Sequence, residues 1–436
     1  MPTFLIEKIR KGIRNFDILE LGNSVVLYYI LIYGMLPLMM FSHLPSKKAS
    51  YFLSYGIRLL DARIFFYLLI GILFFILGYK FFYFKRLNEK IGKVFNKQWN
   101  PQKIFWVFII VFLGSLLIKA IRVFGGGYFH LNKNPALTNS AFYSLIGFLD
   151  WLGPIALSIA FIYYFYLFRT NDSRYKIWRF IAWGIFIFEF VYGFFSGSRF
   201  IAIIPIIVYL IIKHYIYKPS FWRVVFAFIL IFFFLMPVQD FYENPKSFLD
   251  SYTTKVDHQI KITPLAISQY TVDTSVGRVD QSWILKQVFE KTDKFLYGKT
   301  FKEFLTSLGP ARFIWKNKPL SINAFGNEFG RELGILAPTD FKTSVGPTML
   351  GDWYINFGIW GIVFGMFLMG GIFRLFYEIL IRESGHSSSG IMIYSFVWIE
   401  VIRGMENWIA PVYAGLVKLF IILIIIHFFL TWKTKS

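Results

Sequence analysis

Apolar and polar stretches alternate along the chain on the scale of a membrane. Ten apolar runs stand out, at about 23–42, 63–84, 104–124, 143–168, 178–197, 199–217, 221–238, 348–376, 390–404 and 408–432. Most are long enough for a helix rising 1.5 Å per residue to cross a hydrocarbon layer of about 30 Å. They predict ten membrane-spanning helices. The preceding residues, "MPTFLIEKIRKGIRNFDILELG", are basic and amphipathic. They lack the apolar core and small-residue cleavage site of a secretory signal, and predict a retained cytoplasmic or interfacial helix.

The longest polar interval, 239–347, separates the seventh run from the eighth. A connection of that length in a compact protein is expected to fold and to carry function. Within it, "DQSWILKQVFEKTDKF" sets Trp283, Ile284, Val288 and Phe295 on one face at helical spacing. "KTFKEFLTSLG" offers Thr300 as an N-cap and Gly309 as a stop. Two short amphipathic helices lying on the membrane surface would satisfy both patterns. The expected fold class is an all-α polytopic membrane protein, divided into an N-terminal segment 1–22, helices one to seven in 23–238, an external loop 239–347, and helices eight to ten in 348–436.

Composition agrees: 56% of the 436 residues are hydrophobic and only 16% are charged, a balance that excludes an ordinary soluble domain. The net charge of +21 calls for no nucleic acid. Lysine and arginine crowd into "KRLNEKIGKVFNKQWNPQK", "RTNDSRYKIWR" and "KHYIYKPSFWR", which the positive-inside rule assigns to the cytoplasm. Both termini are then cytoplasmic and 239–347 is external. The absence of cysteine excludes disulfides, thiolate catalysis and cysteine metal sites.

Against that bias, arginines collect on the external face: Arg199 in "FFSGSRF", Arg278 in "GRVDQSW", Arg312 in "GPARFIWKNKP", Arg331 in "EFGRELG" and Arg403 in "IRGMENW". A guanidinium presents five donors in a planar fork that matches paired phosphate oxygens, so several facing one point would clamp a diphosphate. The alternative for any one of them is a side chain reaching for lipid headgroups. Beside Arg199, Ser196, Gly197 and Ser198 offer hydroxyl and backbone donors to the same anion. In "SVGPTMLGDWYINFGIWG", residues 344–361, Asp352 falls at the start of a helix. It reads either as a charge favoured by the helix dipole or as a general base for a hydroxyl, with Glu328, Asp280, Asp340 and His258 as competitors. Glu189 in the fifth run, with Lys119 and Arg122 in the third, reads as internal pairing or as function. The six histidines have no ligand spacing, no phosphate-binding glycine loop is present, and no metal or other cofactor is expected.

The order "FFSGSRF", "GRVDQSW", "LYGKTFKEFLTSLGPARFIWKNKP" and "VGPTMLGDWYINFGIWG" resembles the oligosaccharide repeat-unit polymerases, the Wzy-type O-antigen polymerases, over about residues 190–370. The pattern falls on Pro310, Arg312, Trp315, Lys318, Pro319, Gly351, Asp352, Tyr354, Asn356, Phe357 and Gly358, with Asp352 standing where a glutamate is usual. The resemblance implies a GT-C-like membrane glycosyltransferase of the bacterial inner membrane. It would move a growing glycan from undecaprenyl diphosphate to an incoming lipid-linked repeat unit, with a chain-length regulator and membrane lipid as partners. Asp352, Arg199, Arg278 and Arg312 are the expected catalytic residues. Ser198, Lys318, Arg331, Arg403, Trp315 and Tyr354 are expected to hold substrate. The rival readings are a ligase that passes the finished glycan to lipid A core or protein, a flippase for the same lipid-linked sugar, and an inactive subunit of an assembly complex.

Overall fold

The computed structural model describes residues 17–35, 62–124, 148–196, 199–217, 254–256, 259–261, 281–308, 322–340 and 344–432. Apart from an antiparallel hairpin, Thr254–Val256 (β1) paired with Gln259–Lys261 (β2), the regular structure among these residues is helical. Helix α1 (Leu21–Ile30) runs into a π turn, Leu31–Met35. It is followed by α2 (Ala62–Phe81), the short α3 (Lys85–Phe95), α4 (Pro101–Phe124), α5 (Leu152–Arg169), α6 (Tyr175–Phe195) and α7 (Arg199–Tyr217). Three short helices come next, α8 (Ser282–Lys291), α9 (Lys299–Leu308) and α10 (Ile322–Glu332). Helix α11 (Thr348–Tyr377) continues as a π segment over Glu378–Arg382, and α12 (Ser388–Gly404) and α13 (Ile409–Thr431) complete the chain.

Seven of these, α2, α4, α5, α6, α7, α11 and α13, are long and apolar enough to cross a bilayer. Ten spans were expected. The helices at the first and ninth predicted positions, α1 and α12, are shorter, and the run at 221–238 lies outside the described residues.

Burial separates the bundle's axis from its lipid face. In α5, thirteen of eighteen residues are buried, so this helix is surrounded by protein. In α4 the buried residues are Ile104, Phe108, Val111, Ser115, Ile118 and Lys119, a single stripe at steps of three and four. Its other faces carry Trp106 and Ile110, 65% and 69% exposed, as a lipid-facing surface requires. The most extensive pairing, α2 with α11, rests on close backbone approach. A Cβ at Gly78 would collide with the Phe367 carbonyl, and one at Gly370 with the Phe75 carbonyl. In lipid, association relies on such close packing.

One end of the bundle is pinned by the segment just before α1. Asp17 accepts from the hydroxyls of Tyr377 at 3.0 Å and Tyr215 at 3.2 Å, and its other oxygen lies 2.9 Å from His214 Nε2. Glu20 accepts from the Tyr79 hydroxyl at 2.8 Å and Arg374 Nη1 at 3.3 Å. Two acids thus tie α2, α7 and α11 together.

At the opposite end sit α8, α9 and α10. The two amphipathic helices expected in 239–347 are present as α8 and α9, and α10 is an addition. Their faces differ from expectation. In α8 the buried residues among the described side chains are Leu285, Gln287, Val288 and Phe289, Ile284 is half-buried, the Trp283 side chain lies outside the described set, and Phe295 lies beyond the helix and is 38% exposed. Thr300 is no N-cap: α9 begins at Lys299, and the Thr300 side chain turns inward to α11. The expected stop, Gly309, lies outside the described residues.

Candidate functional site

Residues 344–358 form a knot that holds the short helices to the bundle. Helix α11 is interrupted at Gly358, whose φ of 62° and ψ of −145° is backbone that only glycine adopts readily. The interruption frees the carbonyls of Ile355 and Asn356, and the amides of Leu296 and Tyr297 donate to them at 3.0 Å each. The Asn356 side chain finishes the joint. Its oxygen accepts from the Gly298 amide at 3.0 Å, and its nitrogen donates to Thr300 Oγ1 at 2.6 Å and to the Asp352 carbonyl at 2.8 Å.

Asp352 is 0% exposed. One carboxylate oxygen accepts from Thr300 Oγ1 at 2.9 Å, and the other accepts the Ile409 amide, the first of α13, at 2.9 Å. It lies in the second turn of α11 and compensates the N-terminus of α13 rather than that of its own helix. The carboxylate, expected as a general base, is buried here because three elements converge on it. Tyr354 is likewise 5% exposed. Its ring packs on Tyr67 and Phe289 at 5.5 and 4.7 Å, and its hydroxyl is 3.2 Å from Arg63 Nη2. That placement encloses the ring among aromatic side chains.

The same knot reaches the turn between α12 and α13. Met349 N donates to the Met405 carbonyl at 3.1 Å, and Trp408 Nε1 to the Val345 carbonyl at 3.0 Å. In this turn Glu406 accepts from the Tyr28 hydroxyl at 3.0 Å. Burial pushes the Glu406 carboxyl above the usual range, and the Tyr28 bond only partly offsets it.

Beside that turn opens a charged cavity of about 190 Å³, well above the space one water needs. Lys119, Arg122, Asp150, Glu189 and Arg403 line it, together with Phe200 at the start of α7. Lys119 Nζ lies 3.0 Å from Glu189 Oε1, both side chains being under 5% exposed. A Cβ at Gly153 would collide with both charged groups, so glycine there lets α5 close over the pair. Arg122 is paired with Asp150. Arg403 Nη1 is 3.3 Å from Glu400 Oε1, and its guanidinium stacks over the Phe200 ring, 5.0 Å from the centroid. With its side chain 46% exposed, Arg403 borders the opening.

The expected site residues therefore divide. Arg403 lies at the cavity, and α7, which begins at Arg199, contributes Phe200 and Ile201 to its lining; the Arg199 side chain is outside the described set. Arg331 sits on α10 with Nε 3.1 Å from Asn327 Oδ1 and does not line the cavity. Glu328 is exposed on α10, and the Asp340 carbonyl accepts from Asn327 Nδ2 at 2.9 Å. Arg278, Arg312, Ser198, Lys318, Trp315, Asp280 and His258 lie outside the described residues. The internal pairing expected for Lys119 and Glu189 is present. Asp150 and Glu400 escaped the sequence reading; their signal was an acid within the fourth run and one within the ninth, three residues before Arg403. Among the described residues no group of three or more His, Asp or Glu side chains is arranged to hold a metal.

No curated protein and no solved structure matches the chain. Residues 331–412 match the model of a family described as "putative O-antigen polymerase", in agreement with the resemblance carried by the motifs. The matched stretch contains Arg331, Asp352, Tyr354 and Arg403, and together with the bundle of apolar helices it supports a role for this multi-pass membrane protein in surface-polysaccharide biosynthesis.

Proposed function

We propose that the protein polymerises lipid-linked oligosaccharide repeat units, transferring a growing glycan from a polyprenyl diphosphate to the incoming lipid-linked unit. The single observation that carries this reading is the charged cavity at the end of the bundle that holds α8–α10, bordered by Arg403 and by the start of α7. In the orientation given by the lysine and arginine bias, that end faces outward from the bacterial inner membrane and both termini face the cytoplasm.

The described cations of the cavity are matched by acids: Lys119 by Glu189, Arg122 by Asp150 and Arg403 by Glu400. A net preference for an anion then comes from the N-terminal dipole of α7, whose Phe200 lines the cavity, and, on the sequence reading, from Arg199 at the first position of that helix. Arg403, only partly buried, joins them in holding the diphosphate and in stabilising the charge that grows on it as it leaves. The family resemblance adds Arg278, Arg312, Lys318 and Ser198 to the same anion and Trp315 to the sugar. Asp352 and Asn356 hold the segment at 298–300 to α11 and α13, and Tyr354 and Arg331 support the same end of the bundle.

The glycan pattern of a deletion strain tests the reading. Single repeat units capped on their acceptor are expected when the gene is removed, with the full ladder restored by the wild-type chain. Intact polymer retained on the lipid carrier would replace the polymerase by a ligase, and accumulation of lipid-linked units on the cytoplasmic leaflet would replace it by a flippase.

A further inference from the structure

We propose that Asp150, in the turn leading into α5, is the general base that takes the proton from the acceptor hydroxyl; this rests on the glycosyl-transfer reading above. With Asp352 enclosed in the knot, the base must be sought among acids that face the cavity. Three acids pair with its cations. Glu189 is 3% exposed, bound to Lys119 and covered by the backbone at Gly153. Glu400 is 4% exposed and bound to Arg403. Asp150 is the most accessible, its side chain 13% exposed, and it lines the cavity directly.

The two oxygens of Asp150 have different surroundings. Oδ2 is paired with Arg122, while Oδ1 is buried and has no hydrogen-bond partner. A buried carboxylate oxygen without a donor is costly, and such sites are rare unless something else fills them. An acceptor hydroxyl entering the cavity supplies the missing donor. Arg122 meanwhile fixes the carboxylate's orientation through the other oxygen. Arg403 borders the same cavity, so the base and that cation share one space.

The step balances without a co-reactant. Asp150 Oδ1 takes the hydroxyl proton as the acceptor oxygen forms its bond to the anomeric carbon of the donor sugar. The bond from that carbon to the diphosphate oxygen breaks, its electron pair leaves with the lipid diphosphate, and Asp150 then releases the proton to water.

The test uses the purified full chain in lipid nanodiscs with a lipid-linked repeat unit, reading polymer formed per minute. Asp150→Asn is expected to lower turnover about 10²–10⁴-fold, the range a lost general base gives, with melting close to wild type. Asp150→Glu should retain a measurable fraction. Asp150→Ala should be rescued by added formate in proportion to its concentration, which a purely structural aspartate would not show. Turnover of Asp150→Asn within about threefold of wild type overturns the assignment and leaves the polymerase reading intact. An inactive Asp150→Ala that formate does not rescue and that melts well below wild type also overturns it, returning Asp150 to an ion pair that holds α4 to α5. Absence of polymer from the wild-type chain under these conditions overturns the assignment and the reading together.

Discussion

The carboxylate of Asp352, in the second turn of α11, accepts the backbone amide of Ile409, the first residue of α13, at 2.9 Å. An acid that sequence alone would assign to catalysis thus closes the N-terminus of another helix, and Thr300 of α9 donates to its second oxygen. Hydrogen bonds to charged groups contribute about 1.5–3 kcal/mol each. Asp352→Ala is expected to lower stability by on the order of 3 kcal/mol, seen as a lower melting temperature in detergent and less protein in the membrane, with turnover per folded molecule reduced less than tenfold. A variant that melts with wild type but has lost turnover would restore Asp352 as a base.

Gly358 makes a second, sharper prediction. Its φ of 62° with ψ of −145° is strained for any side chain, and a Cβ there would lie 2.7 Å from the Phe295 ring. Gly358→Ala should cost about 1–3 kcal/mol from the backbone alone. It should also release the segment at 296–298, detectable as faster proteolysis between α8 and α9. Unchanged proteolysis would mean that the interruption does not depend on glycine.

The Lys119 and Glu189 pair lends itself to a double-mutant cycle. Removing one partner leaves a buried charge, so Lys119→Met or Glu189→Leu alone should destabilise by about 3–5 kcal/mol. The double variant Lys119→Met/Glu189→Leu should recover most of that loss in a melting experiment. Additive losses in the double variant would show that the two side chains do not act as a pair.

Arg199 carries the prediction closest to the chemistry. If its fork grips the leaving diphosphate, Arg199→Lys keeps the charge but loses the paired donors. Turnover should fall by about a hundredfold, on the order of 3 kcal/mol in the barrier, at unchanged protein level. A normal glycan ladder from Arg199→Lys would reassign the residue to headgroup contact, for which lysine serves equally well.

Asp17 predicts a pH dependence. Burial by itself would raise its carboxyl, but the His214 partner, the Tyr377 hydroxyl and the Leu19 amide together hold it below the usual aspartate range. A carboxyl depressed in the folded state contributes stability that is complete above its unfolded value near pH 4 and is lost as pH falls through the lower folded value. Thermal melting between about pH 5 and pH 2 should show a loss that Asp17→Asn lacks, the variant being already destabilised at pH 7. Parallel curves for the two proteins would remove Asp17 from the pin.

The membrane class, the positions of most long helices and the presence of the two short helices in 281–308 were legible in the sequence, because each follows from local apolar periodicity and from the length a bilayer demands. The "NFG" at Asn356, Phe357 and Gly358 marked a special position, and the interruption of α11 explains two of its three residues. Which acid meets which cation was not legible. Lys119 and Glu189 lie on different helices, Arg122 lies on α4 and Asp150 in the turn before α5, and nothing in their separation along the chain distinguishes these pairings from others. Nor could the sequence say that Asp352 faces inward: one turn of helix separates an exposed carboxylate from an enclosed one, and the packing of α9 and α13 against α11 decides between them. Burial in a bundle depends on neighbours from distant parts of the chain. Periodicity therefore determines where helices run, and tertiary contact determines which of their polar side chains are enclosed as structure and which are left facing a cavity.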